Sequence, residues 1–487
     1  MIAVAPSLSG AALLGAVLGM FAIVALLVAP RSKRPASALA WIMVITFVPV
    51  LGLLLYLLLG SPQLPKHRRD KQQQIDQLFT DRSRVLTGTT DHLDAPAWLP
   101  PLARLNQALG AMPLLEGNSA TLLTGFDHQM AKLVEAVSNA RHYVHVEFYI
   151  LSYDQRTAPF FTALAEAIRR GVTVRVLLDH LGSRSYPGYN RARTELDRMG
   201  ASWRLMLPIQ PLHGRYQRPD LRNHRKLLVV DGEVGFVGSL NLIEPGYQKG
   251  GHARGRLQWH DLLAEVRGPI VREVDAVFAT DWYSETEELL TSKHAPVTYS
   301  PARGRLLAQI CPSGPAFSTE NNLALFNTLL YQAEHRVSIT SPYFVPDESL
   351  LAAITTAARR GVQVELFVSE IGDQFFVYHA QHSYYTDLLA AGVRIYLYPA
   401  PFILHAKHLS IDEDVAVIGS SNMDIRSFQL DLELMLTISG RTFVEELRTV
   451  EDGYRLISRE LTGQEWNRRT RSHRMLDDLT RLTSSLQ

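Results

Sequence analysis

Two uncharged apolar runs open the chain, Ala11 to Ala29 and Ala38 to Gly60, 19 and 23 residues long. As helices rising 1.5 Å per residue, both are long enough for a hydrocarbon core of about 30 Å. The pattern therefore predicts two transmembrane helices within residues 1–60, joined by a short basic connector carrying Arg31, Lys33 and Arg34. A cleaved signal peptide would need a positively charged start, and no Lys or Arg precedes Arg31. Trp41 and Tyr56 flank the second run, where amphipathic rings favour the membrane interface. Residues 61–115 read as a juxtamembrane linker, basic from Lys66 to Lys71 and then interrupted by Pro96, Pro100 and Pro101. Three basic residues in the connector oppose four after the second run, so the positive-inside rule leans only slightly to a cytoplasmic catalytic domain.

From about residue 120 short β-branched or aromatic runs alternate with amphipathic helical stretches, the pattern of an α/β architecture. The pattern occurs twice. HYVHVEFYIL (142–151) reads as a buried strand, Phe160 to Arg170 as a helix and GVTVRVLLD (171–179) as a second strand; HRVSITSPYFV (335–345), Leu350 to Arg360 and GVQVELFVS (361–369) repeat the order. In each copy a glycine follows a helix ending in Arg-Arg, as a helix C-terminal cap would. The expected fold is two α/β lobes related by pseudo-twofold symmetry, residues 116–300 and 301–487.

The repeat carries a motif. HRKLLVVDGEVGFVGSLN (224–241) and HAKHLSIDEDVAVIGSSN (405–422) both read H-x-K-x4-D-x6-G-S-x-N. A spacing of two on a strand puts His224 and Lys226 on one face, and likewise His405 and Lys407. If the copies face each other, two imidazoles and two ammonium groups converge, joined by Ser239, Asn241, Ser420 and Asn422. Such a site suits a phosphodiester. The lysines and asparagines can stabilise the charge of a pentacoordinate transition state, one histidine can attack phosphorus, and the other can protonate the leaving alkoxide. Each histidine then needs a carboxylate to set its tautomer. In the second half the candidate is Glu433, 28 residues after His405; in the first it is Asp261, 37 residues after His224, with an inserted loop around Tyr247 to Leu257. Asp231 and Asp412 sit where a hairpin turn is expected, so a turn-forming role stands beside a chemical one.

Composition narrows the partners. With 49 Lys plus Arg against 48 Asp plus Glu there is no global basic field, which argues against a nucleic-acid partner. The single Cys311 excludes an internal disulfide and reads as packing. No clustered carboxylate and histidine pattern calls for a metal, and no cofactor is expected. The basic tail NRRTRSHR (467–474) reads as solvated, with contact to anionic lipid headgroups as the alternative.

The duplicated motif resembles that of the phospholipase D superfamily over roughly residues 120–465. RSKRPASALAWIMV, VPVLGLLLYLLLG, VEFYI, NHRKLLVVDG, CPSGP, TSPYFVPD and GSSNMDIRSFQLDLE extend the resemblance to the bacterial cardiolipin synthases. The resemblance implies a two-lobed fold and a covalent phosphohistidine intermediate. It further implies that His224, Lys226 and Asp231 join His405, Lys407 and Asp412 in one active site, with His224 as nucleophile and His405 as general acid and base. It implies phosphatidylglycerol as substrate, joined pairwise into cardiolipin with release of glycerol, in the bacterial cell membrane. A hydrolytic phospholipase D, a transferase to another alcohol, and an inert membrane-tethered lipid-binding module are the alternatives. This sequence departs from the family in having Asp431 where Asn is frequent, and WHD where WRD is common.

Overall fold

The computed structural model describes residues 35–61, most of 63–74, then 95–210, 218–247, 257–290 and 304–482, with isolated positions before residue 35. Met1–Leu64 and Pro65–Gln487 are separate compact units. In the first, the expected run Ala11 to Ala29 lies mostly outside the described residues. The second run departs from expectation, forming two helices, Pro35–Phe47 of 13 residues and Pro49–Leu59 of 11. Pro49 pushes the preceding Val48 out of helical geometry, to φ −133° and ψ 71°. The chain folds back there, so that the Trp41 and Tyr56 rings meet edge to face at 5.5 Å. At the bend a Cβ on Gly52 would lie 2.7 Å from the Val44 carbonyl oxygen, which only glycine avoids. Among the described residues no helix is long and apolar enough to cross a membrane, and the two transmembrane helices expected from hydropathy are not both seen as such.

The second unit is built on one 16-stranded mixed sheet. In the first half, Ser202–Met206, Thr173–Asp179 and Tyr143–Phe148 run parallel; Leu227–Val230, Val234–Gly238, Leu262–Arg267 and Leu115–Thr124 then continue antiparallel. The second half has the same series: Arg394–Tyr398, Gln363–Ser369, Arg336–Thr340, His408–Ile411, Val415–Gly419, Asp431–Ser439 and Leu306–Ser313. The two series meet where Leu115–Thr124 pairs antiparallel with Leu306–Ser313, with Leu115 opposite Ala308. An antiparallel junction of like strands is what a pseudo-twofold axis between two α/β lobes requires.

Helices cover each lobe, Phe126–Ser138 and Ala158–Arg169 in the first, Asn321–Gln332 and Glu348–Arg359 in the second. Their buried faces supply separate cores, one around Val146, Phe160 and Val176, the other around Phe326, Ile354 and Leu366. The repeated Arg-Arg-Gly is explained by its contacts. Arg170 donates to the Val137 and Ala140 carbonyls, and Arg360 to those of Leu330 and Ala333, tying together the ends of neighbouring helices. Within the segment read as linker, Pro100 and Pro101 do not break structure. They open the helix Leu99–Gly110, where missing N–H groups cost nothing, and Leu99 and Leu102 join the second-lobe core. Cys311 is buried in the same core, where burial pushes its thiol up to about 12.

Asp231 and Asp412 are the clearest correction to the expected site. Both sit in left-handed backbone, φ 54° and 48°, in the turn at the far end of the strand that follows the lysine. The Asp231 carboxylate accepts from the backbone N–H groups of Arg141, His142 and Tyr143 at 2.7 to 2.8 Å. Asp412 accepts from Glu334, His335 and Arg336 at 2.7 to 3.0 Å. Each aspartate clasps the start of the neighbouring strand, and its oxygens are occupied by the fold. Asp231→Ala is therefore expected to cost roughly 2 to 3 kcal/mol of stability, the range for hydrogen bonds to a charged group. In a thermal melt of purified protein the midpoint falls, while kcat at 25 °C stays near that of the parent; a loss of kcat comparable with His224→Ala would return Asp231 to the chemistry.

Candidate active site

The residues before each histidine form a short strand that leaves its own lobe. Arg222–Asn223 pairs in parallel with Asp431–Leu432 of the second lobe, and Phe402–Leu404 with Gln258–His260 of the first. The exchange continues one residue on, where His224 N–H donates to the Leu432 carbonyl at 2.9 Å and His405 N–H to that of His260 at 2.8 Å. Each imidazole therefore arrives beside a carboxylate of the opposite lobe. His224 Nδ1 lies 2.9 Å from Glu433 Oε1, and His405 Nδ1 lies 2.6 Å from Asp261 Oδ1. The structure brings both expected carboxylates to the histidines, but the pairing within each half is corrected: Glu433 meets His224, and Asp261 meets His405.

Each carboxylate is held in turn by the motif serine. Ser239 Oγ donates to Asp261 Oδ1 at 2.7 Å and accepts from Leu262 N–H at 3.0 Å; Ser420 Oγ donates to Glu433 Oε2 at 2.5 Å and accepts from Leu434 N–H at 2.9 Å. The glycine before each serine permits this, since a Cβ on Gly238 or Gly419 would lie within 2.3 Å of the neighbouring strand's backbone oxygen. The two serines thus orient the acids rather than face a substrate.

Lys226 and Lys407 are fully buried, each anchoring its ammonium on the carbonyl of its own histidine at 2.7 and 2.6 Å. Of the two asparagines, Asn241 donates to the Tyr247 hydroxyl at 3.3 Å, and both side-chain oxygens, Asn241 Oδ1 and Asn422 Oδ1, are buried without a hydrogen-bond partner.

Burial dominates the electrostatics. It pulls His224 down to about 4 against the opposing pull of Glu433, and His405 down to about 3 with Lys407 adding to the effect. The rings are thus neutral at pH 7. Each lysine acts on the histidine of the other motif, so the four groups share one electrostatic neighbourhood. Burial lowers Lys226 to about 8, and burial with Lys226 nearby lowers Lys407 to about 7. For Asp261 and Glu433 burial opposes ionisation, but the partner histidine and a buried lysine outweigh it and hold both carboxyls below their ordinary value. A neutral imidazole with Nδ1–H fixed on a carboxylate presents Nε2 as a lone pair, the state a nucleophile needs.

Sequence reasoning passed over several residues that shape this site. The Tyr149 ring stands edge-on to His224 at 4.9 Å and the Trp259 ring edge-on to His405 at 5.2 Å. Both lie in strings, VEFYI and WHD, whose only signal was resemblance. Trp259, Tyr247, Ile150, Ile243 and Ile403 form an apolar cluster beside the histidines, with Tyr149 and Tyr186 packed on it. Arg225, between His224 and Lys226, donates from Nε to the Glu433 carbonyl at 3.1 Å and pairs with buried Asp281; Ala406 occupies the corresponding place in the second motif. Asp431, two residues before Glu433, is pushed up to about 8 by burial against the pull of Arg426. Burial therefore resists a negative charge here, where the family often has Asn, and the Arg426 guanidinium at 3.2 Å balances the charge that remains. The described residues that bring three possible metal ligands together are His379, His382 and Asp477, outside both motifs, and Asp477 already pairs with Arg469.

A family model described as cardiolipin synthase, PLD-like domain, matches residues 133–282 and 326–451, and one described as phospholipase D-nuclease N-terminal matches 20–61. Cardiolipin synthase A of Yersinia pseudotuberculosis serotype O:1b (strain IP 31758) is 31% identical over 461 residues, 92% of either chain, and the Yersinia pestis protein of that name matches equally. The crystal structure of phosphatidylserine synthase from Haemophilus influenzae Rd KW20 has the same fold, with a TM-score of 0.58 at 14% identity, covering 80% of this chain and all of that one. A lobed α/β sheet with a duplicated histidine and lysine motif, and similarity along nearly the whole length, place this chain in the cardiolipin synthase family of phospholipase D-like proteins.

Proposed function

We propose that the crossed site carries a phosphatidyl group from one phosphatidylglycerol to another, yielding cardiolipin and glycerol without metal or nucleotide. The observation that carries this reading is the pair of buried, neutral imidazoles, each held at Nδ1 by the other lobe's carboxylate, with two buried lysines in the same electrostatic neighbourhood.

In the proposed cycle His224 Nε2 attacks phosphorus, a P–N bond forms, and the bond from phosphorus to the glycerol oxygen breaks. His405, which takes up a proton at Nε2 as the anionic phosphodiester binds, gives that proton to the departing alkoxide. The 2′,3′-diol headgroup of a second phosphatidylglycerol then enters, His405 takes its hydroxyl proton, and the new alkoxide displaces His224 from phosphorus. One phosphodiester is exchanged for another, so the covalent intermediate conserves the bond energy. Lys226 and Lys407 hold the non-bridging oxygens, with charge that is worth more in a buried site than in water. The apolar cluster of Trp259, Tyr247 and Ile403 keeps water from the intermediate and favours a lipid alcohol over hydrolysis.

We place the amino-terminal unit in the bacterial cell membrane as a multi-pass anchor. Support comes from its outward side chains: Phe47 and Val50 are 77% and 76% exposed, and Leu51, Leu54 and Leu57 more than half exposed, a surface suited to acyl chains rather than water.

In vesicles of phosphatidylglycerol the purified enzyme should form cardiolipin and glycerol in equal amounts. Phosphatidic acid as the main product would establish a hydrolase instead, and absence of turnover an inert lipid-binding protein. His224→Ala and His405→Ala should each abolish turnover, and acid-quenched enzyme should carry lipid phosphate on His224; label on His405 would exchange the two roles. Through the crossed pairing, Glu433→Gln should slow formation of the His224 adduct by about 10² or more, while Asp261→Asn should spare nucleophile orientation and slow the proton-transfer steps. Equal slowing of every step by both variants would remove the distinction.

The lysines set the alkaline limit. Their ammonium charge is lost as pH rises through about 7 for Lys407 and about 8 for Lys226, so kcat/KM should fall over that interval, mainly through a rising KM. Because both rings are neutral in the free enzyme while the acid must be charged, binding of a phosphodiester analogue at pH 7 should take up a proton. Calorimetry in buffers of differing ionisation enthalpy measures this; binding heats independent of buffer would refute it.

A further inference from the structure

The C-terminal helix Arg471–Arg481 packs on Phe375–Ala391 with its polarity reversed. The residues it turns inward are Asp477 and Thr480, 2% and 4% exposed, while Met475, Leu479 and Leu482 are 65%, 51% and 79% exposed. The spacing 475, 479, 482 is one stripe on a helix, and a helix at an aqueous surface would bury such a stripe. Polar contacts hold the arrangement. His379 Nδ1 lies 2.8 Å from Asp477 Oδ1, Arg469 pairs with the same carboxylate, and Arg481 lies 4.4 Å over the Tyr384 ring.

A second apolar feature occupies the same corner. Phe375 and Phe376, at the start of the partner helix, are 59% and 60% exposed, and the Phe375 ring contacts His379, the residue that meets Asp477. Just before them Asp373 and Gln374 line a shallow cleft whose wall includes Ile403, two residues from His405. Around the apolar groups lie cations. Arg468, Arg471 and Arg474 are exposed, and Arg468 and Arg471 have no acidic partner among the described residues. Exposed aromatic and aliphatic side chains rimmed by free guanidinium groups match an anionic lipid surface in both chemistry and charge.

We propose that this corner docks the second lobe on an anionic bilayer, with Phe375, Phe376, Met475, Leu479 and Leu482 entering the headgroup boundary and Arg468, Arg471 and Arg474 meeting lipid phosphates. The contact is separate from the amino-terminal unit and rests on the reading that the substrate is a bilayer lipid. It sets the cleft lined by Asp373, Gln374 and Ile403 toward the bilayer.

Full-length protein in phosphatidylglycerol vesicles, carrying an environment-sensitive probe on Met475→Cys or Phe376→Cys, tests it; native Cys311 is buried and escapes labelling. Both probes should be quenched by spin-labelled lipid in the bilayer, whereas a probe on Glu413→Cys, in an exposed turn, should not. Arg468→Glu with Arg471→Glu should reduce the quenching. Equal quenching at all three positions, or none, overturns the proposal, as does a probe shift in lipid-free detergent that grows with protein concentration, which would assign the patch to a second copy of the chain. Phe375→Ser with Phe376→Ser should raise KM for vesicle phosphatidylglycerol roughly tenfold through lost apolar insertion, and leave turnover of dissolved short-chain phosphatidylglycerol unchanged. Loss on both substrates would make the pair structural. If the parent enzyme fails to turn over the dissolved lipid, the catalytic reading fails on its own, and the quenching still decides the docking.

Discussion

Each imidazole at the centre of this protein takes its orientation from a carboxylate that belongs to the other lobe, and neither half can assemble a working histidine alone. The His224 to Glu433 and His405 to Asp261 contacts are possible because the strand before each histidine crosses over to pair with the strand segment before the opposing acid. The central antiparallel junction between Leu115–Thr124 and Leu306–Ser313 holds the lobes at the separation these crossings need. Catalytic geometry and lobe association are therefore one structural feature.

The arrangement places two imidazoles, two ammonium groups and two carboxylates out of water. Isolated, such charges would carry a large desolvation penalty, and here it falls unequally. The carboxylates remain ionised because a histidine, a serine hydroxyl and a buried lysine surround each; the histidines give up their protons, and the lysines are brought near neutrality. An arriving phosphodiester adds a negative charge, which favours the protonated form of the lysines and of one ring. In the proposed cycle anion and proton are therefore taken up together, and a pseudo-symmetric pair of neutral rings becomes one nucleophile and one acid.

Symmetry is broken around that centre. Arg225 and Asp281 brace the first motif where the second has Ala406, and Trp259 lies against His405 where Asp431 takes the equivalent place, two residues before the acid, in the other lobe. His405 meets Trp259, whereas His224 meets Tyr149, so the two rings are not interchangeable even though their carboxylate and serine partners match.

The repeat, the α/β character of the lobes and the set of residues that meet at the site were legible along the chain, because strand and helix periodicities and a duplicated motif are local properties. Pro100 and Pro101 were misread, and Pro49 passed over, for the same reason: the effect of a proline depends on whether it falls inside a helix or at its first turn. The motif aspartates carry a spacing indistinguishable from that of catalytic groups, and only the backbone N–H donors around Asp231 and Asp412 reveal them as clasps of the fold. Sequence alone determined the two histidine–lysine pairs and the candidate acids, since chemistry follows residue type. Which carboxylate serves which histidine was decided by the tertiary structure, because the crossing strands join positions 209 and 144 residues apart, and no local pattern records a contact made across a twofold axis.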